Sequence, residues 1–230
     1  QVLRSKLRAT NNIRKVPTNA SDSRVLLLCR SAPHVVKMVK DLGATLIEDI
    51  EEAHLATHTV IGDDLRRTPK LMIALCSTSN FVSFTWLANS SRGKQVLDSK
   101  DYRRVTHKKA EAKYGFSMKR TLQNGKENRK VGGMMAGWSI VFSEGVAGNR
   151  SPSQAELDLI AQASGAKVVK PKDLDEVPNK AKLIVITSDP QTEEQLSDVR
   201  IREATQAGAR KCTTSWLFDC MMHQKLTGLR

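Results

Sequence analysis

A repeated pattern of glycine and tryptophan constrains the fold of this chain more than any other feature of its sequence. An amphipathic segment ends at Gly43-Ala44, and a second one ends at Gly165-Ala166, 122 positions later. The tripeptide Thr85-Trp86-Leu87 parallels Ser215-Trp216-Leu217 at a separation of 130 positions. Glycine can adopt the positive φ that ends a helix, and two of the three tryptophans occupy equivalent places. The similar separations predict two tandem repeats of roughly 90–100 residues each.

Both repeats show the same predicted order of elements, β-α-β-β-α-β-α. Short apolar runs that lack helical periodicity predict strands buried on both faces, as in a parallel sheet. The predicted strands cover residues 25–29, 44–47, 54–61, 81–84, 138–142, 166–169, 183–187 and 210–212. Amphipathic stretches predict the helices, among them one that opens with the capping box Ser153-x-x-Glu156 and one over residues 193–207. The predicted fold class is therefore α/β.

The net charge of +13 is concentrated in two stretches of the chain. Residues 1–22 hold five basic residues and one acid, and residues 103–130 hold ten basic residues and two acids, Glu111 and Glu127. Together the two stretches carry twelve of the thirteen excess positive charges. This distribution excludes a uniformly basic protein of the histone type. It suggests a near-neutral globular body with an anionic partner.

Composition excludes several other classes of protein. Hydrophobic residues make up 40% of the chain, which is enough for a core, but no apolar run approaches the roughly 18 residues of a membrane span. Residues 1–20 contain no apolar stretch like that of a secretory signal. The four cysteines show no C-x-x-C pairing, and we interpret Cys29 and Cys76 as small buried apolar residues. We expect an intracellular location, and a basic chain suits the nucleus.

These features together resemble the tandem BRCT domain. The resemblance rests on the apolar first strand, on the helices that end in Gly-Ala, and on the late helices that open with Thr-Trp-Leu or Ser-Trp-Leu. It includes His54-Leu55 as the core pair of the third strand, and it covers residues 24–230. It implies two small three-layer α/β/α domains, each with a parallel four-stranded sheet. It also implies that the second helix of the first repeat packs against the first and third helices of the second.

Two motifs narrow the resemblance further. Arg66-Arg67-Thr68-Pro69-Lys70-Leu71 is similar to the Arg-Thr-x-Lys motif of tandem BRCT pairs that bind phosphopeptides. Lys113-Tyr114-Gly115-Phe116-Ser117-Met118 is similar to a stretch that opens the linker helix in the mediator of DNA damage checkpoint family. Members of that family bind the phosphorylated C-terminal tail of a variant core histone at DNA breaks. The resemblance therefore implies a linker helix at residues 113–124 and a non-enzymatic reader of a phosphorylated tail on chromatin.

The resemblance also implies which residues form the binding site. Lys70 would supply the point charge for a phosphate, together with Thr68 and the main-chain N–H groups near Cys29 and Arg30. Arg67 would bind the peptide main chain or a free C-terminal carboxylate, which suits the planar fork of its guanidinium. The peptide side-chain pocket between the repeats would have two wall residues, Met72 and Gln206.

One position departs from the pattern of the phosphopeptide-binding relatives. They carry Ser or Thr and then Gly after the first strand, whereas this chain has Leu28 and Cys29 there. Leu28 has no hydroxyl, and a lost hydrogen bond to a charged group costs roughly 1.5–3 kcal/mol. Ser31 or Arg30 could replace that contact. We expect phosphate binding that is weakened rather than abolished, provided that Lys70 and the helix N-terminus contribute.

Two alternatives to phosphopeptide binding stay open. The basic segment 103–130 is either a solvated linker or a surface for DNA or nucleosomes. One alternative is therefore a DNA- or nucleosome-binding module that uses the basic tail and the linker. The other is a phosphate-independent protein scaffold. His54 and His58 have an i,i+4 spacing, but in a predicted strand without partner ligands they do not predict a metal site. We expect no cofactor, no membrane contact and no catalytic role for Cys29.

The predicted domain organisation has four parts. Residues 1–22 form a basic, flexible tail, residues 23–106 the first BRCT repeat, residues 107–135 a basic linker with a helix, and residues 136–230 the second BRCT repeat. The resemblance also leads us to expect a C-terminal piece of a longer protein, because such pairs usually end large scaffolds.

Overall fold

The structure is a computed structural model that describes residues 19–29, 32–148 and 151–228. Its strands are β1 Arg24–Leu28, β2 Thr45–Ile47, β3 His58–Ile61, β4 Phe81–Ser83, β5 Ser139–Phe142, β6 Lys167–Val169, β7 Leu183–Thr187 and β8 Arg210–Thr213. Its helices are α1 Pro33–Leu42, α2 Pro69–Ser77, α3 Phe84–Gly93, α4 Lys108–Tyr114, α5 Met118–Lys130, α6 Gln154–Ala163, α7 Glu193–Ser197, α8 Val199–Gln206 and α9 Thr214–His223. Arg30, Ser31 and most of the predicted tail lie outside the described residues.

Each half of the chain builds one parallel four-stranded sheet, which confirms the predicted fold class. The strand order is β2-β1-β3-β4 in the first sheet and β6-β5-β7-β8 in the second. Every residue of β3 and β7 is buried. This burial explains why these strands read as continuous apolar runs, since helices cover both faces of each sheet.

Neighbouring residues of one strand pack in two different hydrophobic cores, because successive side chains point to opposite faces of a sheet. In β1, Val25 packs with α1 and α3, whereas Leu26 packs in the core that contains α2. In β5, Val141 packs with α8, whereas Ile140 packs in the same core as α2. Each repeat therefore has three layers, and one core is shared by both repeats.

The residues that recur in the sequence perform the same structural task in both halves. Gly43 and Gly165 follow the first helix of each repeat with positive φ values of 77° and 92°. The indole Nε1 of Trp86 donates to the carbonyl of the eleventh residue after it, at 2.9 Å. Trp216 makes the equivalent bond at 2.7 Å. These hydrogen bonds tie the last helix of each repeat to the chain that follows it.

The third strand is shorter than predicted, because residues Ile50–Leu55 form a 3-10 helix. His54 lies in that helix, where its Nδ1 pairs with the Glu51 carbonyl at 2.7 Å. The expected core pair His54-Leu55 is therefore wrong, and the core histidine is His58 at the start of β3. Its fully buried ring stacks on Trp86, with the ring centroids 4.5 Å apart.

Two segments predicted as single helices are each divided into two. The linker forms α4 and α5, which Gly115 separates at a φ of 65°. The linker helix expected at residues 113–124 is therefore wrong in its bounds, since α5 begins at Met118 and continues to Lys130. The segment 193–207 divides at Asp198, whose carboxylate accepts from two main-chain N–H groups of α8. Both breaks occur at residue types that favour helix ends, a glycine with positive φ and an aspartate N-cap.

Helix α2 joins the two repeats. It packs against α6 and α9, as predicted, and also against α5, which was not predicted. Residues 71–76 of α2 are all buried. Helix α5 holds this arrangement through polar bonds: Arg129 donates to carbonyls at the end of α2 at 3.3–3.5 Å, and the Thr121 hydroxyl donates to the Met222 carbonyl of α9 at 2.5 Å. The linker thus connects the C-terminal ends of α2 and α9.

The elements of the first sheet and its covering helices lie within residues 24–93, and those of the second lie within residues 139–223. The domain boundaries at residues 22, 106 and 135 stay predictions. No helix within the described ranges has both the length and the apolar character that crossing a membrane requires.

The buried ring of His58 predicts a loss of stability in mild acid. Burial lowers the pKa of His58 to about 4 from its ordinary value of 6.5, and its Nε2 has no hydrogen-bond partner among the described residues. His58 therefore binds a proton more readily in the unfolded chain than in the folded one. The free energy of unfolding keeps its full value with respect to this group above pH 6.5 and falls as the pH approaches 4. The expected loss is about 3 kcal/mol.

The matched variant is His58→Phe, which keeps an aromatic ring on Trp86 and cannot titrate. Urea unfolding from pH 4 to 7 should show a pH-dependent difference in free energy of unfolding between the parent and this variant. A difference that stays constant over that range would contradict the role of His58.

The approach of α5 to α2 predicts that Gly125 tolerates no side chain. A Cβ at Gly125 would lie 2.9 Å from the Leu75 carbonyl oxygen, which belongs to backbone and cannot rotate away. We expect Gly125→Ala to lower the free energy of unfolding by about 1–3 kcal/mol. Gly93→Ala is the control, because nothing lies within 4 Å of a Cβ there, and it should stabilise α3 by up to about 1 kcal/mol. Equal effects in thermal or urea unfolding would be evidence against this contact.

Candidate functional site

The carboxyl ends of β1, β2 and β3 and the start of α2 surround a cleft of about 890 Å³. Parallel strands all end at this edge of the sheet, which is where open α/β folds commonly bind ligands. The lining residues are Leu27, Leu28, Cys29, Glu48, Asp49, Ile50, Gly62, Asp63, Asp64, Arg66, Thr68, Pro69, Lys70 and, from α6, Glu156. The cleft therefore belongs mainly to the first repeat, with one contribution from the second.

Thr68 and Lys70 start α2 and line this cleft. Thr68 is the N-cap, and its Oγ1 accepts a hydrogen bond from the Leu71 N–H at 3.3 Å. A hydroxyl that accepts in this way can still donate its proton to a ligand. The Lys70 Nζ donates to the main-chain carbonyl of Glu48 at the end of β2. An anion in the cleft would share the ammonium group with that carbonyl, since the group has three N–H donors.

Leu28 is the residue that the sequence resemblance predicts in place of a phosphate-binding hydroxyl. It is the last residue of β1, pairs in register with Ile61 of β3, and packs partly against the shared core. Cys29 follows it into the cleft, close to Gly62, where a Cβ would come within 3.0 Å of the Cys29 Cβ. Gly62 thus lets the end of β3 approach the end of β1. The apolar Leu28 side chain offers no hydrogen bond at this place.

Carboxylates outnumber basic side chains in the lining of the cleft. Asp64 pairs with Arg66 at 2.9 Å, and Asp63 pairs with Arg104 at 3.1 Å. The remaining carboxylates of the lining are Glu48, Asp49 and Glu156. An anionic ligand would meet like charges here, which reduces its affinity.

Arg67 lies next to the cleft, at the junction of the two repeats. Its Nη1 is 3.2 Å from the Asp219 carboxylate of α9. Its guanidinium carbon is 5.6 Å from the centre of the Tyr114 ring and 5.4 Å from that of Phe218. The side chain stays 30% exposed. The two aromatic rings and the carboxylate orient the guanidinium fork, which suits recognition of a carboxylate or of peptide carbonyls.

The motif Lys113-Tyr114-Gly115-Phe116-Ser117-Met118 supports Arg67 from the linker side. Tyr114 ends α4, and its hydroxyl accepts from the Arg67 main-chain N–H at 3.3 Å. Gly115 turns the chain, and Ser117 caps α5 by accepting from the Arg120 N–H. Phe116 and Met118 are buried. The motif therefore places an aromatic ring beside Arg67 and starts the next helix.

The structure brings Cys29, Thr68 and Lys70 into one cleft. Arg30, which was predicted with them, lies outside the described residues. Arg67 belongs to the neighbouring inter-repeat junction. The residues predicted to bind the phosphate therefore lie next to the residue predicted to bind the carboxylate.

The two predicted wall residues of the peptide side-chain pocket need correction. Met72 is only 1% exposed and fills the shared core, so it offers no surface to a peptide. Gln206 is an exposed residue at the end of α8, whose buried face packs on the outer side of the second sheet. It does not face the inter-repeat junction. Sequence alone could not place Gln206, because the side of the sheet that a helix covers is set by the chain crossover.

Sequence reasoning missed the carboxylates of the cleft and Gly62. A signal for them was present, since Glu48-Asp49 and Gly62-Asp63-Asp64 directly follow the apolar runs of β2 and β3. Residues at the carboxyl ends of parallel strands meet at one edge of the sheet. Glu156 had no such signal, because only the packing of α6 on α2 brings it to the cleft.

Neither the cysteines nor the acidic residues of the described part form a recognisable reactive centre. Burial raises the pKa of the Cys29 thiol, which disfavours the nucleophilic thiolate. Burial likewise raises the pKa of Cys76 to about 11. Within the described ranges, no group of three or more His, Cys, Asp or Glu side chains is placed to hold a metal ion.

Comparison with solved structures supports the fold. The chain superposes on the BRCT5-BRCT6 domains of Brc1 from S. pombe with a TM-score of 0.68 and 13% sequence identity, covering 90% of this chain and 94% of that one. It superposes on Rtt107p (residues 820–1070) with a TM-score of 0.55 and 10% identity, covering 100% and 96%. No protein-family model and no curated protein sequence matches the chain. The chain therefore has the fold of a tandem BRCT pair.

Proposed function

We propose that this chain is a non-enzymatic module that binds a phosphorylated peptide in the cleft of the first repeat. The observation that supports this proposal is that one cleft brings together the Thr68 hydroxyl, the Lys70 ammonium group and the start of α2. A phosphoserine brings nearly two negative charges and three acceptor oxygens. A lysine, a hydroxyl and main-chain N–H groups at a helix N-terminus together match those needs. Thr68 would contribute a hydroxyl contact in this cleft, whereas Leu28 contributes none.

We further propose that the ligand is a phosphoserine-containing tail with a free C-terminal carboxylate, and that a variant core histone in nuclear chromatin supplies it during the DNA-damage response. The support is the similarity of two motifs to the checkpoint mediators, together with the geometry of Arg67. One nitrogen of its guanidinium contacts Asp219, and the side chain stays partly exposed beside the cleft. A guanidinium group in this place can bind the terminal carboxylate of a peptide whose phosphoserine lies a few residues before its C-terminus.

A phosphate-independent protein scaffold is the second candidate, and two observations favour it. Leu28 removes one phosphate contact, and the cleft carries more carboxylates than basic side chains. Both features would suit a neutral or basic peptide segment better than a phosphate. Comparison of phosphorylated and unphosphorylated ligands separates the two functions.

Substitution of Lys70 tests the proposed phosphate contact. The probe is an acidic peptide with one phosphoserine close to a free C-terminus, measured by calorimetry or fluorescence anisotropy. Lys70→Met should weaken its binding by about 1.5–3 kcal/mol, or roughly 10- to 150-fold in Kd, because a charged hydrogen-bond donor is lost. The variant should bind the unphosphorylated peptide as the parent does.

Lys40→Met is the matched control, because it removes the same charge from an exposed position on α1 that does not line the cleft. It should leave the Kd within about twofold. If the parent binds both peptide forms equally, the phosphopeptide proposal fails and the scaffold alternative stands.

Substitution of Arg67 tests the proposed contact with the terminal carboxylate. Amidation of the peptide C-terminus should weaken binding to the parent by about 1–3 kcal/mol, since a charge-assisted pair is lost. In Arg67→Ala the same amidation should have almost no effect, because the partner of the carboxylate is already absent.

Arg66→Ala is the control for this cycle. Its exposed side chain pairs with Asp64 and not with the groups around Arg67. It should keep the full sensitivity to amidation. An amidation penalty that persists in Arg67→Ala would assign the carboxylate to another residue.

A further inference from the structure

The linker segment carries many more cations than its own structure uses. Of the ten basic residues in segment 103–130, three have internal ion-pair or hydrogen-bond partners, and within the described residues Lys113 contacts only the Tyr114 ring, at 5.2 Å from its centre. Arg104 pairs with Asp63, Lys130 pairs with Glu127, and Arg129 donates to carbonyls of α2. The other seven are all exposed, namely Arg103, Lys108, Lys109, Lys113, Lys119, Arg120 and Lys126.

The two acids of the segment do not neutralise those cations. The Glu111 carboxylate accepts from the main-chain N–H groups of His107 at 2.9 Å and Met118 at 2.8 Å, so it is used to cap helices. Glu127 pairs with Lys130 at 2.5 Å. The seven exposed cations therefore form no ion pair within the described residues. Like charges this dense in one segment favour an anionic partner.

Helix α5 arranges part of this charge along one side. Lys119 and Lys126 lie within about 20° of one another around the helix axis and about 10 Å apart along it. Lys130, which pairs with Glu127, follows on the same side about 6 Å further along. Arg120 lies about 100° around the axis from Lys119, beside this stripe and not within it. The buried residues of α5 are Met118, Thr121 and Gly125, which face the repeats on the other side. The stripe is long enough to contact several phosphates of a nucleic acid backbone.

The residues around the stripe favour duplex nucleic acid over a single strand or an anionic membrane surface. Both aromatic residues of the segment are engaged, since Tyr114 contacts Arg67 and Phe116 is buried, so neither is available to stack on the bases of a single strand. The exposed side of α5 carries charged and amide side chains, without the apolar face that insertion into a membrane surface requires.

We propose that the exposed cations of α4 and α5 form a binding surface for the phosphate backbone of duplex DNA, without base readout. The α5 part of this surface is separate from the cleft, because α5 contacts the C-terminal end of α2 whereas Lys70 lies at the N-terminal end. The proposal does not depend on phosphopeptide binding. It predicts weak sequence preference and a steep dependence of affinity on salt.

The experiment measures binding of the full 230-residue chain to a fluorescent DNA duplex across a range of salt concentrations. The triple variant Lys119→Glu, Arg120→Glu, Lys126→Glu should weaken binding at least tenfold near 0.1 M salt. It should also flatten the slope of log K against log salt by about three, at roughly 0.9 per lost phosphate contact.

The matched control is the triple variant Lys167→Glu, Lys172→Glu, Lys211→Glu, which makes the same charge change at exposed sites of the second repeat. It should keep most of the affinity and the parent slope. A second set with glutamine at residues 119, 120 and 126 should show a smaller loss in the same direction. Thermal unfolding of each variant checks that the fold is retained.

Three results would overturn this proposal. The parent does not bind the duplex at low salt, or the two triple variants lose affinity equally, or binding is confined to anionic lipid vesicles or to acidic proteins. Lys70→Met should leave duplex binding unchanged, so failure of this proposal and failure of the phosphopeptide proposal are distinguishable.

Discussion

The enclosure of α2 is the constraint on which the rest of this structure depends. Six consecutive residues, 71–76, are buried, so the helix has no face left for solvent over that length. A helix that is apolar all round is stable only when other elements surround it. Here its own sheet, α5, α6 and α9 do so. Separating the two repeats would expose this core to water and would be unfavourable. Each fully buried large apolar side chain contributes about 1.5–3 kcal/mol to the free energy of unfolding.

The same enclosure positions the candidate site. Because α2 cannot shift against α6 and α9, its first turn is held in a constant relation to the second repeat. Glu156 reaches the cleft from α6, and Asp219 reaches Arg67 from α9. A phosphate that entered the cleft would meet the carboxylates that line it and would share Lys70 with the Glu48 carbonyl.

The net charge of this chain and its candidate site report different properties. The excess of thirteen positive charges suggests an anionic ligand, yet the cleft is lined by five carboxylates and only two basic side chains. The linker, by contrast, contains two kinds of basic side chain. Some bind other parts of the protein, and others are exposed and form no ion pair within the described residues. Arg129 illustrates the first kind: burial lowers the pKa of its guanidinium, and the carbonyls at the end of α2 accept its hydrogen bonds.

The sequence by itself determined the two-repeat α/β architecture, since Gly43, Gly165, Trp86 and Trp216 each act locally through a helix end or an indole hydrogen bond. It also indicated Lys70 and Arg67, whose identities are carried by a short motif. Tertiary structure alone decided which histidine is buried, because His54 and His58 lie in one apolar run and only packing against Trp86 distinguishes them. It also decided that Met72 is core and that Gln206 faces away from the junction. Those properties depend on which surfaces meet, and contacts between residues distant in sequence leave no local pattern.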